Sequence, residues 1–181
     1  MDLAQWVEGN GDRLAERWLI EVASRSGPWE PEVESLMSRF FHGFVSLLPG
    51  CLGPLRSQIQ PLWVQAAELY GSLGSMRALA AGDIIEEFQS LREALIRLLY
   101  ADPPKGGAEP ISLRELLLLN RIVDRGVTQA SVGHTDALFF ALIEGSGLAA
   151  APTSEVLQEV GDQLDALQTE RDTVLAGSPG H

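Results

Sequence analysis

The sequence predicts an all-α protein, a helical bundle of about six helices with a coiled-coil-like helix at its C-terminal end. Apolar residues recur at three- and four-residue spacing through most of the 181 positions, the period of one face of an α-helix. Proline and glycine pairs cut that pattern into segments of helical length. No strand-like alternation runs beyond a few residues, and no repeat of fixed period is present. With 45% apolar content the chain can bury a sizeable core as one domain.

Each element has its own signals. Asp2 to Glu8 reads as a turn or short helix carrying Trp6. Asp12 is placed to cap a helix to about Ser26, with Leu14, Trp18, Leu19 and Val22 on its buried side, and Gly27-Pro28 ends it. Proline at a first-turn position opens the next helix at Pro31, and Val33, Leu36, Met37, Phe40, Phe41, Phe44 and Leu48 carry it to a stop at Pro49-Gly50. Cys51 to Pro61 reads as a loop with room for one turn. A helix from about Leu62 to Ala80 then turns Trp63, Ala66, Ala67, Tyr70 and Leu73 inward, with Gly71 and Gly74 thinning one face.

Gly82-Asp83 is read as a break and new cap, opening a helix to about Tyr100 whose stripe is Ile84, Phe88, Leu91, Leu95 and Leu98. Arg92 sits among these apolar residues, so its guanidinium must snorkel out or find a carboxylate. Ser112 and Glu115 form a capping box for the longest helix, 112–144, about 48 Å of chain, which is expected to kink at Gly126 or Gly133 or to project beyond the bundle. Thr153 or Ser154 caps the last helix, in which Leu157, Val160, Leu164 and Leu167 form a short seam. The organisation is thus 1–150 as a helical domain, 151–176 as a terminal helix and 177–181 as a tail.

Charge and cysteine content narrow the function. Thirteen basic against 25 acidic residues give a formal charge of -12, and the twelve arginines and one lysine are scattered. That balance repels phosphate backbones and anionic lipid heads, so neither nucleic acid nor a membrane is an expected partner. Cys51 is the lone cysteine, which excludes an intramolecular disulfide and suits a reducing cytoplasm. No run approaches the roughly 20 apolar residues of a membrane span, and the N-terminus lacks a signal-peptide pattern.

The reactive side chains do not assemble into an enzyme signature. Metal ligand spacings are absent: no Glu-x-x-His pairs for a dinuclear site, and no Cys or His pairs for zinc. Ser26, Ser112, Ser146 and Ser154 stand at helix ends and read as caps rather than nucleophiles. The glycines of GSLGSMR follow no strand and precede no Gly-Lys-Ser/Thr, so they serve close helix approach rather than phosphate binding. Glu86 and Glu87 point about 100 degrees apart on a helix, which leaves Glu87 as an ion-pair partner and Glu86 on a solvated face. Arg77 and Arg92 are expected to pair with carboxylates drawn from Glu87 and Asp124. Breaking such a pair costs about 3 to 5 kcal/mol if it is buried, with Arg92→Met then milder than Asp124→Ala. His42 and His134 read as core or interface histidines, with axial haem ligation as the alternative; His181 lies in the tail.

The stretch LYGSLGSMRALAAGDIIEEFQSLREALIRLL, followed by LNRIVDRGVTQASVGH, resembles the N-terminal sensor domain of the RsbR-type stressosome co-antagonists. That family pairs a Leu-Arg-Ala helix and a short break with a Glu-Phe-x-x-Leu-Arg helix, then a helix with an Asp before an Ala-rich run. Met76-Arg77-Ala78, Glu87-Phe88, Leu91-Arg92 and Asp124 occupy those places, and the resemblance covers about residues 12 to 145. His134 departs from it, standing where an aromatic residue is expected. The resemblance implies a globin-like sensor domain without haem, dimeric and non-enzymatic, that relays a signal to a kinase or anti-sigma antagonist. No such output domain lies within these residues, so on this resemblance the output step is missing or supplied by another chain. Four seam residues need a surface to bury against, either the chain's own bundle or the same seam of a second copy, and the resemblance favours the second copy, as a homodimer. The rival readings are a haem-carrying protein with His134 or His42 as ligand, and a structural dimerisation adaptor.

Overall fold

The computed structural model describes residues 2–104, 111–144 and 152–177. Ser146, His181, the boundary at residue 150 and the tail beyond 177 lie outside them. The described residues form seven helices and no strand: α1 (Leu3–Gly9), α2 (Gly11–Ser26), α3 (Pro31–Leu52), α4 (Arg56–Met76), α5 (Ala81–Ala101), α6 (Leu113–Glu144) and α7 (Ser154–Ala176).

Five of them close a ring. α2 packs on α3, α3 on α4, α4 on α6, α6 on α5, and α5 returns to α2. The ring encloses an aromatic core in which Trp18, Phe41, Phe44, Tyr70 and Phe88 lie with centroids 4.1–6.1 Å apart, many of them edge to face. Burying tryptophan requires a partner for its indole N–H, and each finds a distant backbone carbonyl. Trp18 donates to Glu87 (2.7 Å), Trp63 to Ile122 (3.0 Å) and Trp6 to Asp102 (2.7 Å), which ties α2 and α1 to α5 and α4 to α6. α1 packs on α3, and α7 lies along α3 and α4.

Several boundaries differ from those read in the sequence. Asp12 is in the first turn of α2 and does not cap it; the N-cap is Asn10, which makes no side-chain capping bond. α3 continues through Pro49 to Leu52. A proline loses one N–H and crowds the carbonyl four residues earlier, a cost that one further turn offsets here by burying Cys51 completely. Cys51 is therefore a core residue, not a loop residue. α4 begins at Arg56, ahead of Pro61, because Ile59 is also fully buried. It ends at Met76 rather than Ala80. Ala78, with φ 57°, takes the left-handed position of a Schellman turn, with Leu79 N–H on Gly74 (3.1 Å) and Ala78 N–H on Ser75 (3.0 Å). Gly82 and Asp83 lie inside the first turn of α5, and the Asp83 carboxylate accepts the Ala80 N–H at 2.8 Å.

Ser112 caps α6, its hydroxyl accepting Glu115 N–H at 3.2 Å and donating to the Glu115 carboxylate at 2.7 Å. That bonding holds the Glu115 carboxyl below the usual carboxylate range. Thr153 caps α7, whereas Ser154 donates to Glu32, and Ser26, in the last turn of α2, accepts from Arg77. α6 runs unbroken past Gly126 and Gly133. Those glycines are contact points: a Cβ on Gly133 would stand 2.1 Å from the Glu68 carbonyl oxygen, and one on Gly71 only 1.9 Å from that of Ala130. Backbone meets backbone at this crossing.

The terminal seam is used within the chain. Leu157, Val160 and Leu164 are buried and Leu167 half-buried, and α7 packs on α3 and α4. Of the two surfaces the sequence left open for that seam, the chain's own bundle covers it here, with Gly43 and Gly161 thinning the α3–α7 crossing.

Candidate functional site

Three polar constellations stand out against this apolar frame. The first lies inside the ring. Glu87 on α5 is buried, and its carboxylate accepts from Tyr70 Oη (2.5 Å) and from both Arg77 terminal nitrogens (2.9 and 3.2 Å). Arg77 is the residue just past α4, brought back toward α5 by the Schellman turn, and its guanidinium stacks 5.3 Å from the Trp29 ring centroid. Burial and then the Glu87 charge push the Tyr70 hydroxyl well above its ordinary value. Burial opposes the charge on Arg77, but Tyr70 and Glu87 outweigh it, so Arg77 stays protonated. With every member partnered, the cluster is a structural lock.

The second pairs Arg92 of α5 with Asp124 of α6. Asp124 is 62% and Arg92 31% exposed, so this is a rim contact. Among the described residues Arg92 Nε is buried without a partner. Arg77, Glu87, Arg92 and Asp124 therefore form two separate pairs of different burial, not one network.

The histidines lie apart. His134 is buried at the α4–α6 crossing, and its Nε2–H donates to the Leu79 carbonyl at 2.8 Å. That nitrogen is thereby committed, and a Cβ on Gly71 would stand 2.8 Å from the His134 backbone nitrogen, so no slot for a flat macrocycle exists there. The residues around His134 do not fit haem. His42, half-buried on α3, donates Nδ1–H to Ser38 at 2.8 Å and lines a cavity.

That cavity, about 470 Å³, is the third constellation, and spacing in the sequence did not reveal it because its walls come from four parts of the chain. The α1–α2 junction supplies Val7, Glu8, Asp12 and Arg13; α3 supplies His42, Val45 and Ser46; α4 supplies Ile59; and α7 supplies Arg171 and Leu175. Arg171 reaches across to donate to the Ser46 hydroxyl, and its other bonds go to Asp172. Its volume falls within the roughly 300–1,000 Å³ of small-molecule sites. Among the described residues no helix is long and apolar enough to cross a membrane, and no cluster of His, Cys, Asp or Glu is placed to hold a metal. Comparison with protein families, with curated proteins and with solved structures finds no match.

Proposed function

We propose that this protein is a non-enzymatic sensory module of the cytoplasm that binds a small molecule in the α1–α2/α3/α7 cavity and relays its occupancy through α7 to a protein partner. The observation that carries the reading is the composition of that cavity wall. Arg171 and Leu175, in the last two turns of the terminal helix, line the same space as the N-terminal helices. A ligand there touches the sensing end and the relaying element at once, so its occupancy favours the arrangement in which α7 closes on the cavity. The resemblance to RsbR-type sensor domains, with their globin-like fold, supports the same reading and points to a kinase or anti-sigma antagonist as partner.

The module is proposed to act as a homodimer, with the contact on the C-terminal end of α6. Phe139, Phe140, Leu142 and Ile143 are 58–67% exposed there, an apolar cluster that suits a self-complementary two-fold contact.

Val45→Phe, which places a ring in the cavity as a built-in occupant, tests the relay. Amide exchange over residues 168–177 is expected to change while α4 and α6 keep their protection, showing that the ring is intact. Unchanged exchange in α7 would reduce the protein to a dimerisation adaptor.

A further inference from the structure

We infer that the ligand of this cavity is a free apolar α-amino acid, held as a zwitterion. The inference rests on the sensory reading for its location and names the ligand class. Both signs of charge meet an apolar wall in one space. Arg171, only 21% exposed at its side chain, spends three of its five N–H groups on Ser46 and Asp172, which leaves two for a carboxylate. Glu8 and Asp12 stand at the α1–α2 junction on the same cavity, and no ion pair of the described residues engages either. They supply the site for an ammonium group. Between these ends Leu175, 47% exposed, and the half-buried Pro49 offer surface for a hydrocarbon side chain, backed by the buried Val7, Val45 and Ile59.

The charge pattern discriminates among ligands of this size. A simple carboxylate gains Arg171 but lies beside the acidic Glu8 and Asp12, and a simple amine gains those two groups but leaves the two free N–H groups of Arg171 without an acceptor, Asp172 and Asp102 already pairing Arg171 and Arg13. A zwitterion engages both ends.

Titration calorimetry of the full chain tests this with L-leucine, L-methionine and L-phenylalanine against two halves of leucine, 4-methylpentanoate and 3-methylbutylamine. At least one amino acid is expected to bind, each half at least tenfold more weakly than leucine or not at all. Arg171→Met and Asp12→Asn are each expected to weaken the amino acid at least tenfold; Asp12 is exposed, so its substitution leaves the fold intact. Binding of either half as tightly as leucine, indifference to Asp12→Asn, or no binding by any amino acid overturns the inference. Amino-acid binding with unchanged exchange in α7 overturns the sensory reading and leaves the ligand class standing.

Discussion

Glu87 receives one hydroxyl and one guanidinium, with water nearly excluded, and this decides how the two arginine pairs differ in value. Arg77 and Glu87 side chains are each 6% exposed. Arg77→Met is therefore expected to lower unfolding free energy by about 3–5 kcal/mol, because it leaves a buried carboxylate with Tyr70 alone. Asp124→Ala is expected to cost no more than about 1 kcal/mol, as for exposed pairs. Urea denaturation of the two variants checks the order, and equal losses would contradict it. Charge partners were legible in the sequence, since an arginine beside apolar neighbours must find one; depth was not, because burial depends on helices far away in the chain. Cys51 shows the same limit. Burial pushes its thiol up to about 12, with Arg56 pulling it down less. Above the ordinary thiol value near 8.5 the unfolded chain loses a proton that the native state keeps, so stability falls as pH rises, by about 1.4 kcal/mol per pH unit. Tyr70 adds a fall of the same sign above its ordinary value of about 10. Urea midpoints between pH 8 and 11 should decline less steeply for Cys51→Ala than for the parent protein, and parallel slopes would refute this.

At the level of single helices, stripes were readable and ends were not. Ile84, Phe88, Leu91, Leu95 and Leu98 all face the core as their spacing requires. Prolines and glycines misled because each has two uses. Pro49 and Pro61 sit inside helices whose burial offsets the lost hydrogen bond, while an alanine, not a glycine, takes the left-handed turn after α4. Glycine likewise divides into two kinds by what surrounds it. A Cβ at Gly71 collides with the Ala130 carbonyl, whereas one at Gly82 meets nothing within 4 Å. Gly71→Ala is expected to cost about 1–3 kcal/mol or more by overpacking, and Gly82→Ala to gain up to about 1 kcal/mol by helix propensity. Thermal melts of the pair check the sign, and a loss in both would refute it.

For the molecule as a whole, the end of α6 carries the cluster of exposed large apolar residues Phe139, Phe140, Leu142 and Ile143 among the described residues. Sedimentation at tens of micromolar is expected to show a dimer that Phe139→Glu with Phe140→Glu turns to monomer, and a variant ending near Pro152 is expected to stay dimeric. A monomeric parent protein would refute the contact. The bundle class was legible because periodicity is local; the cavity was not, because its walls meet only once α7 has folded back onto α3. The α4–α6 crossing carries a consequence in time. It joins Ser72 to Gly133, 61 residues apart along the chain, through a contact whose backbones touch. Chain entropy must be spent on that closure before any packing rewards it. The neighbouring pairs α2–α3 and α3–α4 can form and dissolve many times meanwhile. Closure of the ring is then expected to be the slow event in the life of each new chain.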